Sequence, residues 1–347
     1  MVTILDKYIC HSPFNYLEIH NNDVYGCCPT WLPIVYGKTA ELAGVWDGEI
    51  ANKVRESVSD GSYRYCSKTE CPYLSRLINE SDSTGFAEKS LVKQLTHNTG
   101  PTTVNFSFDR SCNLSCESCR TSVIMSNKIE VEFTEKTIKA VTELYGNSIR
   151  TIYLCGNADP FASKSFRNFL INFDRTKFPN ISNIHLHTNA LLLTKELWDE
   201  LAPIYNLLNT IEISVDAATK ETYEKVRRGG NWETLLTNLE FISTLKLRDV
   251  RVSFVVQDTN YLEMRDFHDM IMKIFKNKAT TYFNKISNWG TYSEEQYLKK
   301  QIWSESHPQF NSFLEQLHKI TKIYNCRHNM YDIIETHSIK PTIRGLI

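Results

Sequence analysis

Three cysteines stand at positions 112, 116 and 119 in the stretch FDRSCNLSCESCR (108–120), a C-x3-C-x2-C spacing. Thiolates are soft ligands, and three of them in one short loop suit an iron–sulfur cluster or zinc. Zinc sites usually pair C-x2-C knuckles and take four ligands. Three ligands on a 4Fe-4S cluster leave one iron without a protein ligand, open to a substrate or cofactor. A second group lies near the start of the chain. There Cys10, Cys27 or Cys28, Cys66 and Cys71 make a candidate four-ligand set. Disulfides and zinc compete as explanations for it, and a reducing compartment weakens the first. Cys155 and Cys326 stand alone, where a buried thiol packed as a small hydrophobe is the common case.

The elements that must hold these residues follow from the rest of the chain. It has 347 residues, 41% hydrophobic and 23% charged, enough for one large domain or two. Lys+Arg number 39 against 40 Asp+Glu, a balance that argues against a dedicated nucleic-acid binder. No apolar run reaches the ~18 residues of a membrane span. MVTILDKYIC lacks a basic region followed by an apolar one, so a cytoplasmic protein is expected.

From residue 104 onward, short β-type runs alternate with amphipathic helical ones. Strands are expected at 104–109, 151–156, 183–189, 210–217, 249–256 and 280–287, all rich in Val, Ile, Thr, Tyr and Phe. Helices are expected between them, one starting at Thr134 and one at Thr194, each as N-cap. Such alternation implies an α/β fold with a parallel sheet, and six units fit a partial (β/α)6 barrel. The cysteine loop follows the first strand, at the end where such folds keep their sites. Residues 1–80 are loop-rich and read as a separate small cysteine-rich domain that needs a staple. Residues 81–100 read as a linker, with NESDSTG at 79–85 at its start, 101–290 as the barrel, and 291–347 as a helical extension.

The C-x3-C-x2-C loop after strand one resembles the signature of the radical S-adenosylmethionine (SAM) enzymes. That resemblance implies that Cys112, Cys116 and Cys119 ligate a 4Fe-4S cluster whose open iron chelates the amino and carboxylate groups of SAM. One electron, from an external flavodoxin- or ferredoxin-type donor, then cleaves the sulfonium. The 5′-deoxyadenosyl radical so formed takes a hydrogen atom from substrate. The family usually has an aromatic residue before the third cysteine, packed by the adenine. Here it is Ser118, so the adenine contact must come from elsewhere.

Further motifs carry further implied roles. CGNADP (155–160) resembles the family's G-G-G-E-P turn, with Gly156 and Asp159 facing the SAM ammonium. HTNA resembles T-N-G, with Thr188 and Asn189. ISVDAATKETYEKVRRGG resembles the S-x-D segment and a helix ending in R-G-G. Ser214 and Asp216 would then meet the ribose, and Arg228 the SAM carboxylate. Plain capping and a solvated helix end are the ordinary explanations for Asp216 and Arg228. Gln257, near Asn260, lies on the same rim, and ISNWG after strand six could offer backbone contacts to adenine. His187 reads as a core histidine. Cys326 could donate a hydrogen atom on the far face of a substrate radical, as radical epimerases require, or could be core.

The amino-terminal segment resembles the SPASM/Twitch auxiliary-cluster modules. That implies a second 4Fe-4S cluster on Cys10, Cys27, Cys66 and Cys71. Asn22 stands where the family has a turn glycine, which selects Cys27 over Cys28. The implied substrate is a ribosomally made peptide, crosslinked, epimerised or cut in its backbone. The alternative is a sugar or other small natural product undergoing dehydrogenation or epimerisation. No winged-helix leader-binding domain is evident, so a separate leader-binding protein would serve a peptide substrate. A non-enzyme alternative is a zinc-stapled binding protein.

Overall fold

The computed structural model describes residues 4–78, 86–89, 100–154, 156 and 158–337. Cys155 and the NESDSTG segment lie outside the described residues, as does most of the expected linker. The described chain has a mixed α/β fold with long parallel runs of strand, as the alternation requires. It divides into two compact units. The first takes residues 1–110, 126–158 and 164–185, and the second 111–125, 159–163 and 186–347. No helix among the described residues is long and apolar enough to cross a membrane.

In the first unit, β1 (Tyr8–Cys10), β2 (Tyr16–His20), β3 (Asp23–Tyr25), β4 (Gly37–Lys38), β5 (Phe86–Glu88), β6 (Thr103–Ser107) and β7 (Thr151–Leu154) follow one another along the chain. β1 and β5 form a small antiparallel pair. The main sheet runs β7-β6-β2-β3-β4. β6 pairs with β7 in parallel, as expected. β6 also pairs in parallel with β2, from Tyr16↔Thr103 to His20↔Ser107. The amino-terminal segment therefore shares a sheet with the first strands of the expected barrel. It also has an apolar nucleus of its own: Ile9, Phe14, Val58, Tyr63 and Leu74, all nearly inaccessible. The nucleus is assembled from residues too far apart in sequence to show as a pattern.

The helix Lys128–Tyr145 is capped by Asn127, whose side chain accepts from the Ile129 and Glu130 backbone while Glu130 reaches back to the Asn127 N–H. The start expected at Thr134 is thus corrected by two turns. Thr134 is buried within the helix, and Asn127 with Glu130 is the true start signal.

β8 (Asn183–Thr188) is the strand along which the division of the chain falls. The second unit adds β9 (Leu208–Ser214), β10 (Asp249–Val256), β11 (Ala279–Lys285) and β12 (Cys326–His328), in the order β12-β11-β10-β9-β8. β9, β10, β11 and β12 are parallel neighbours. Side chains alternate across a strand. On one face Val252, Phe254 and Phe283 are fully buried, and Phe254 and Phe283 meet Phe267 of the helix Met264–Ile274 at 4.9 and 5.7 Å between ring centroids. The other face carries Glu212, Ser214, Ser253 and Asn284, a polar row. Thr194 caps its helix as expected, accepting from the Leu197 N–H.

Candidate active site

The cysteine loop leaves the end of β6 and closes on itself. The Cys112 N–H donates to the Ile124 carbonyl at 2.8 Å, and the Cys119 and Arg120 N–H groups both donate to the Cys116 carbonyl at 3.0 Å. Each of the three sulfurs has a nitrogen donor of its own. Asn189 Nδ2 reaches Cys112 Sγ at 3.8 Å, Arg227 Nη1 reaches Cys116 Sγ at 3.7 Å, and Arg120 Nη2 reaches Cys119 Sγ at 3.5 Å. Donors on sulfur favour the thiolate and tune any cluster it holds. Without a ligand, burial pushes the Cys112 thiol up to about 11. Cys116 is raised chiefly by burial, opposed by the Arg227 charge.

Asn189 is held in turn. Its backbone N–H and the Thr188 hydroxyl donate to Asp159 Oδ2 at 2.8 and 2.7 Å, and the Phe161 N–H donates to Oδ1. Asp159, expected to face an ammonium, has both oxygens engaged within the protein and does not line the cavity described below. Its placement is that of a brace behind Thr188, Asn189 and Cys112. Ala190 follows at φ +64, the left-handed conformation that suits the glycine of T-N-G. Gly156 is exposed, and its N–H donates to Ser107 Oγ at 3.4 Å within the first unit.

Asp216 and Arg227 form a buried ion pair at 2.6 Å. Burial opposes the Arg227 charge, but the adjacent Asp216 carboxylate outweighs it and holds the guanidinium charged. Asp216 sits at φ +65 and accepts from the Val255 N–H at 2.7 Å. It is not a helix cap; that role belongs to Thr219. Arg228, expected at a carboxylate, instead donates Nε and Nη2 to the Ser115 and Arg120 carbonyls at 2.8 and 3.1 Å. It splints the cysteine loop, while its neighbour Arg227 occupies the site. Adjacent residues at a helix end point in different directions, and the RR doublet could not say which would turn inward.

Ser214 Oγ lies 2.8 Å from His187 Nε2 and 3.3 Å from Ser253 Oγ. His187 is therefore a polar-face residue, not core. Gln257 is buried beside Asn260, which accepts its N–H. Among the described residues, Gln257 Oε1 and Arg227 Nε have no hydrogen-bond partner. A cavity of about 300 Å3 collects Cys116, Ser118, Cys119, Asp216, Arg227 and Asn284, with Ile286, Ser287 and Trp289 of the ISNWG segment. Among the described residues no three His, Cys, Asp or Glu side chains are grouped to hold one metal ion. A four-iron cluster spreads its ligand sulfurs further apart than a single ion does. The donor set fits it: three thiols in one loop, each with a nitrogen donor, beside a cavity bounded by the buried Arg227 cation.

Residues 106–271 match the radical SAM superfamily. This stretch is a radical SAM domain. Two curated relatives are similar to the chain. One is molybdenum cofactor biosynthesis protein 1 of Drosophila melanogaster, 24% identical over 169 residues, 48% of this chain and 29% of that protein. The other is GTP 3′,8-cyclase of Alkaliphilus metalliredigens, 26% identical over 165 residues, 46% of this chain and 49% of that protein. The chain spans less than half the length of either. Among solved structures, Streptococcus suis SuiB bound to precursor peptide SuiA has a TM-score of 0.44 at 12% identity, covering 84% of this chain and 64% of that one. A radical SAM methyltransferase from Sphaerobacter thermophilus has a TM-score of 0.37 at 13% identity, covering 63% of each.

The amino-terminal thiols are described within their own unit. Cys10, Cys66 and Cys71 pack on the nucleus of Ile9, Phe14 and Tyr63. The Cys10 N–H donates to the Tyr63 hydroxyl at 3.2 Å, and the Leu74 N–H to Cys71 Sγ at 3.4 Å. Burial raises Cys10 and Cys27 and pushes Cys66 up to about 12; Cys71 also raises each of the three, and Cys10 raises Cys27 and Cys66. Cys28 is raised by burial and then by Glu18. Cys28 raises Cys27 as well, so these influences do not separate Cys27 from Cys28.

Cys326 is paired in register with Thr281, next to Phe283↔His328. That face packs on the helix Met264–Ile274, where His268 Nδ1 meets Thr281 Oγ1 at 2.8 Å. The alternation of β12 puts Cys326 on the helix side, away from the polar row. Burial pushes its thiol up to about 12. This placement favours the packed thiol over the hydrogen-atom donor.

Proposed function

We propose that this protein is a radical SAM enzyme. In this reading Cys112, Cys116 and Cys119 hold a 4Fe-4S cluster, and SAM occupies the cavity beside them. The observation that carries this is the set of three sulfurs in one loop, each with its own nitrogen donor, two of them lining a cavity with the Asp216–Arg227 pair. When bound, the cluster and SAM supply a one-electron cleavage that ends in hydrogen-atom abstraction from substrate, with the electron from a flavodoxin- or ferredoxin-type donor. The chain's own residues have separate tasks. Asn189, Arg120 and Arg227 favour the thiolates. Arg228 and Asp159 keep the loop in shape. Asp216 and Asn284 bound the nucleotide's space, with Ser214 on the polar face of the sheet.

The substrate we favour is a ribosomally made peptide, altered at an unactivated C–H bond. Support comes from the resemblance of the amino-terminal segment to auxiliary-cluster modules and from the packing of Cys10, Cys66 and Cys71 on one apolar nucleus. The alternative substrate is a sugar or other small natural product. The polar row of His187, Glu212, Ser214 and Ser253 offers hydrogen bonds that either would use.

The test is anaerobic incubation of the reconstituted protein with SAM and a strong reductant. The wild type should be brown and release 5′-deoxyadenosine, and Cys112→Ala should release none. A colourless zinc protein that leaves SAM intact would overturn the reading. A co-encoded small peptide that changes mass in the same reaction would support the first substrate class. Modification of a sugar instead would support the second.

A further inference from the structure

Trp289 is 61% exposed, yet it lines the same cavity as Cys116, Ser118 and Cys119. It is the one aromatic side chain in that lining among the described residues; its apolar company is Val255 and Ile286. A large indole left half in water at the edge of a polar cavity is ready to gain from a flat partner. Its turn is rigid. Asn288 Oδ1 accepts from the Gly290 and Tyr292 N–H groups at 3.0 and 3.4 Å, and Asn288 Nδ2 donates to the Tyr292 carbonyl at 3.1 Å. Gly290 lies at φ +84, where a side chain would be strained. The Tyr297 hydroxyl donates to the Ile286 carbonyl at 2.9 Å. Tyr297 lies on the helix Glu294–Lys300, and from the end of that helix Lys300 reaches Asp258 at 3.1 Å and Glu117 of the cysteine loop at 3.8 Å. One helix thus braces both the tryptophan turn and the residue next to Ser118. A backbone turn fixed in this way loses little freedom when a ligand stacks on the indole it carries.

We propose that Trp289 is the stacking platform for the adenine of the bound adenosyl nucleotide, in place of the aromatic residue missing at Ser118. The proposal rests on the radical SAM reading of this site. A purine has the π-face that an indole prefers, and aromatic–base stacking is tolerant of the edge contacts around it. Asn284, Ser287 and Asn329 in the same lining offer those edge contacts. The serine at 118 leaves its part of the wall without a ring.

The experiment is equilibrium binding of S-adenosylhomocysteine to the anaerobically reconstituted protein, with the cluster's visible and paramagnetic spectra recorded for every variant. Trp289→Ala should weaken binding by roughly five- to 150-fold, the range of a lost base stack, with spectra unchanged. Trp289→Phe should keep most of the affinity, and Ser118→Phe placed in the Trp289→Ala protein should restore part of it. Parent-like affinity in Trp289→Ala with intact spectra would overturn the proposal. So would a defect confined to the KM of the second substrate, which would place Trp289 against that substrate. A parent protein that carries a cluster yet binds no S-adenosylhomocysteine would instead remove the radical SAM reading itself.

Discussion

Arg227 concentrates the electrostatics of the site in one side chain. It joins a buried carboxylate, Asp216, to a buried sulfur, Cys116. Removing one partner of a buried pair leaves the other charge without compensation, which costs about 3–5 kcal/mol. Arg227→Met should therefore lower unfolding free energy by about that amount, measured by denaturant titration. The paired variant Arg227→Met with Asp216→Leu should recover much of the loss. Arg228→Met breaks contacts to two loop carbonyls, those of Ser115 and Arg120, and leaves no buried charge unpaired, so it should cost far less. The sequence pointed to Arg228, the arginine directly before Gly229 and Gly230, but only the end of the helix Lys220–Val226 decides which of the two turns toward the sulfur. The cysteines themselves were legible, since three thiols within one loop is a pattern that packing alone does not demand.

Elements were read well where periodicity is long. All six expected strands exist, with ends that match or shift by up to three residues, because alternating or continuous apolar runs record which faces are buried. β2 and β12 were not read. β12 has three residues, Cys326–His328, too few for a period, and it exists because β11 offers an open edge. Its register makes a pH prediction. Burial pushes His328 down to about 4, with Asp332 partly opposing, and the ring's Nδ1 accepts from the Met330 N–H at 3.3 Å. The folded ring is neutral. The unfolded chain takes up its proton near pH 6.5. Stability is thus full above that pH and falls as the pH drops from about 6.5 toward 4, by up to about 3 kcal/mol. Denaturant titrations across this range should show the fall, and His328→Gln should lack that component.

At the scale of the whole chain, the two expected ligand sets fall in different compact units: Cys10, Cys27, Cys66 and Cys71 in the first, Cys112, Cys116 and Cys119 in the second. On the two-cluster reading, reconstituted protein should hold about eight iron and eight sulfide. Replacing Cys10 and Cys66 together by alanine should reduce this to about four, with SAM binding retained and the first unit less resistant to proteolysis. About four iron in the wild type would remove the auxiliary cluster. The residue types, their spacing and the strand–helix alternation were set by the sequence alone, because ligand chemistry and side-chain periodicity are local properties. Tertiary structure decided the rest: that β2 pairs with β6, that Arg227 and not Arg228 meets the sulfur, that Cys326 faces a helix, and that Trp289 reaches the cavity. Each depends on contacts between residues tens to hundreds of positions apart, and no local pattern records a distance across the fold.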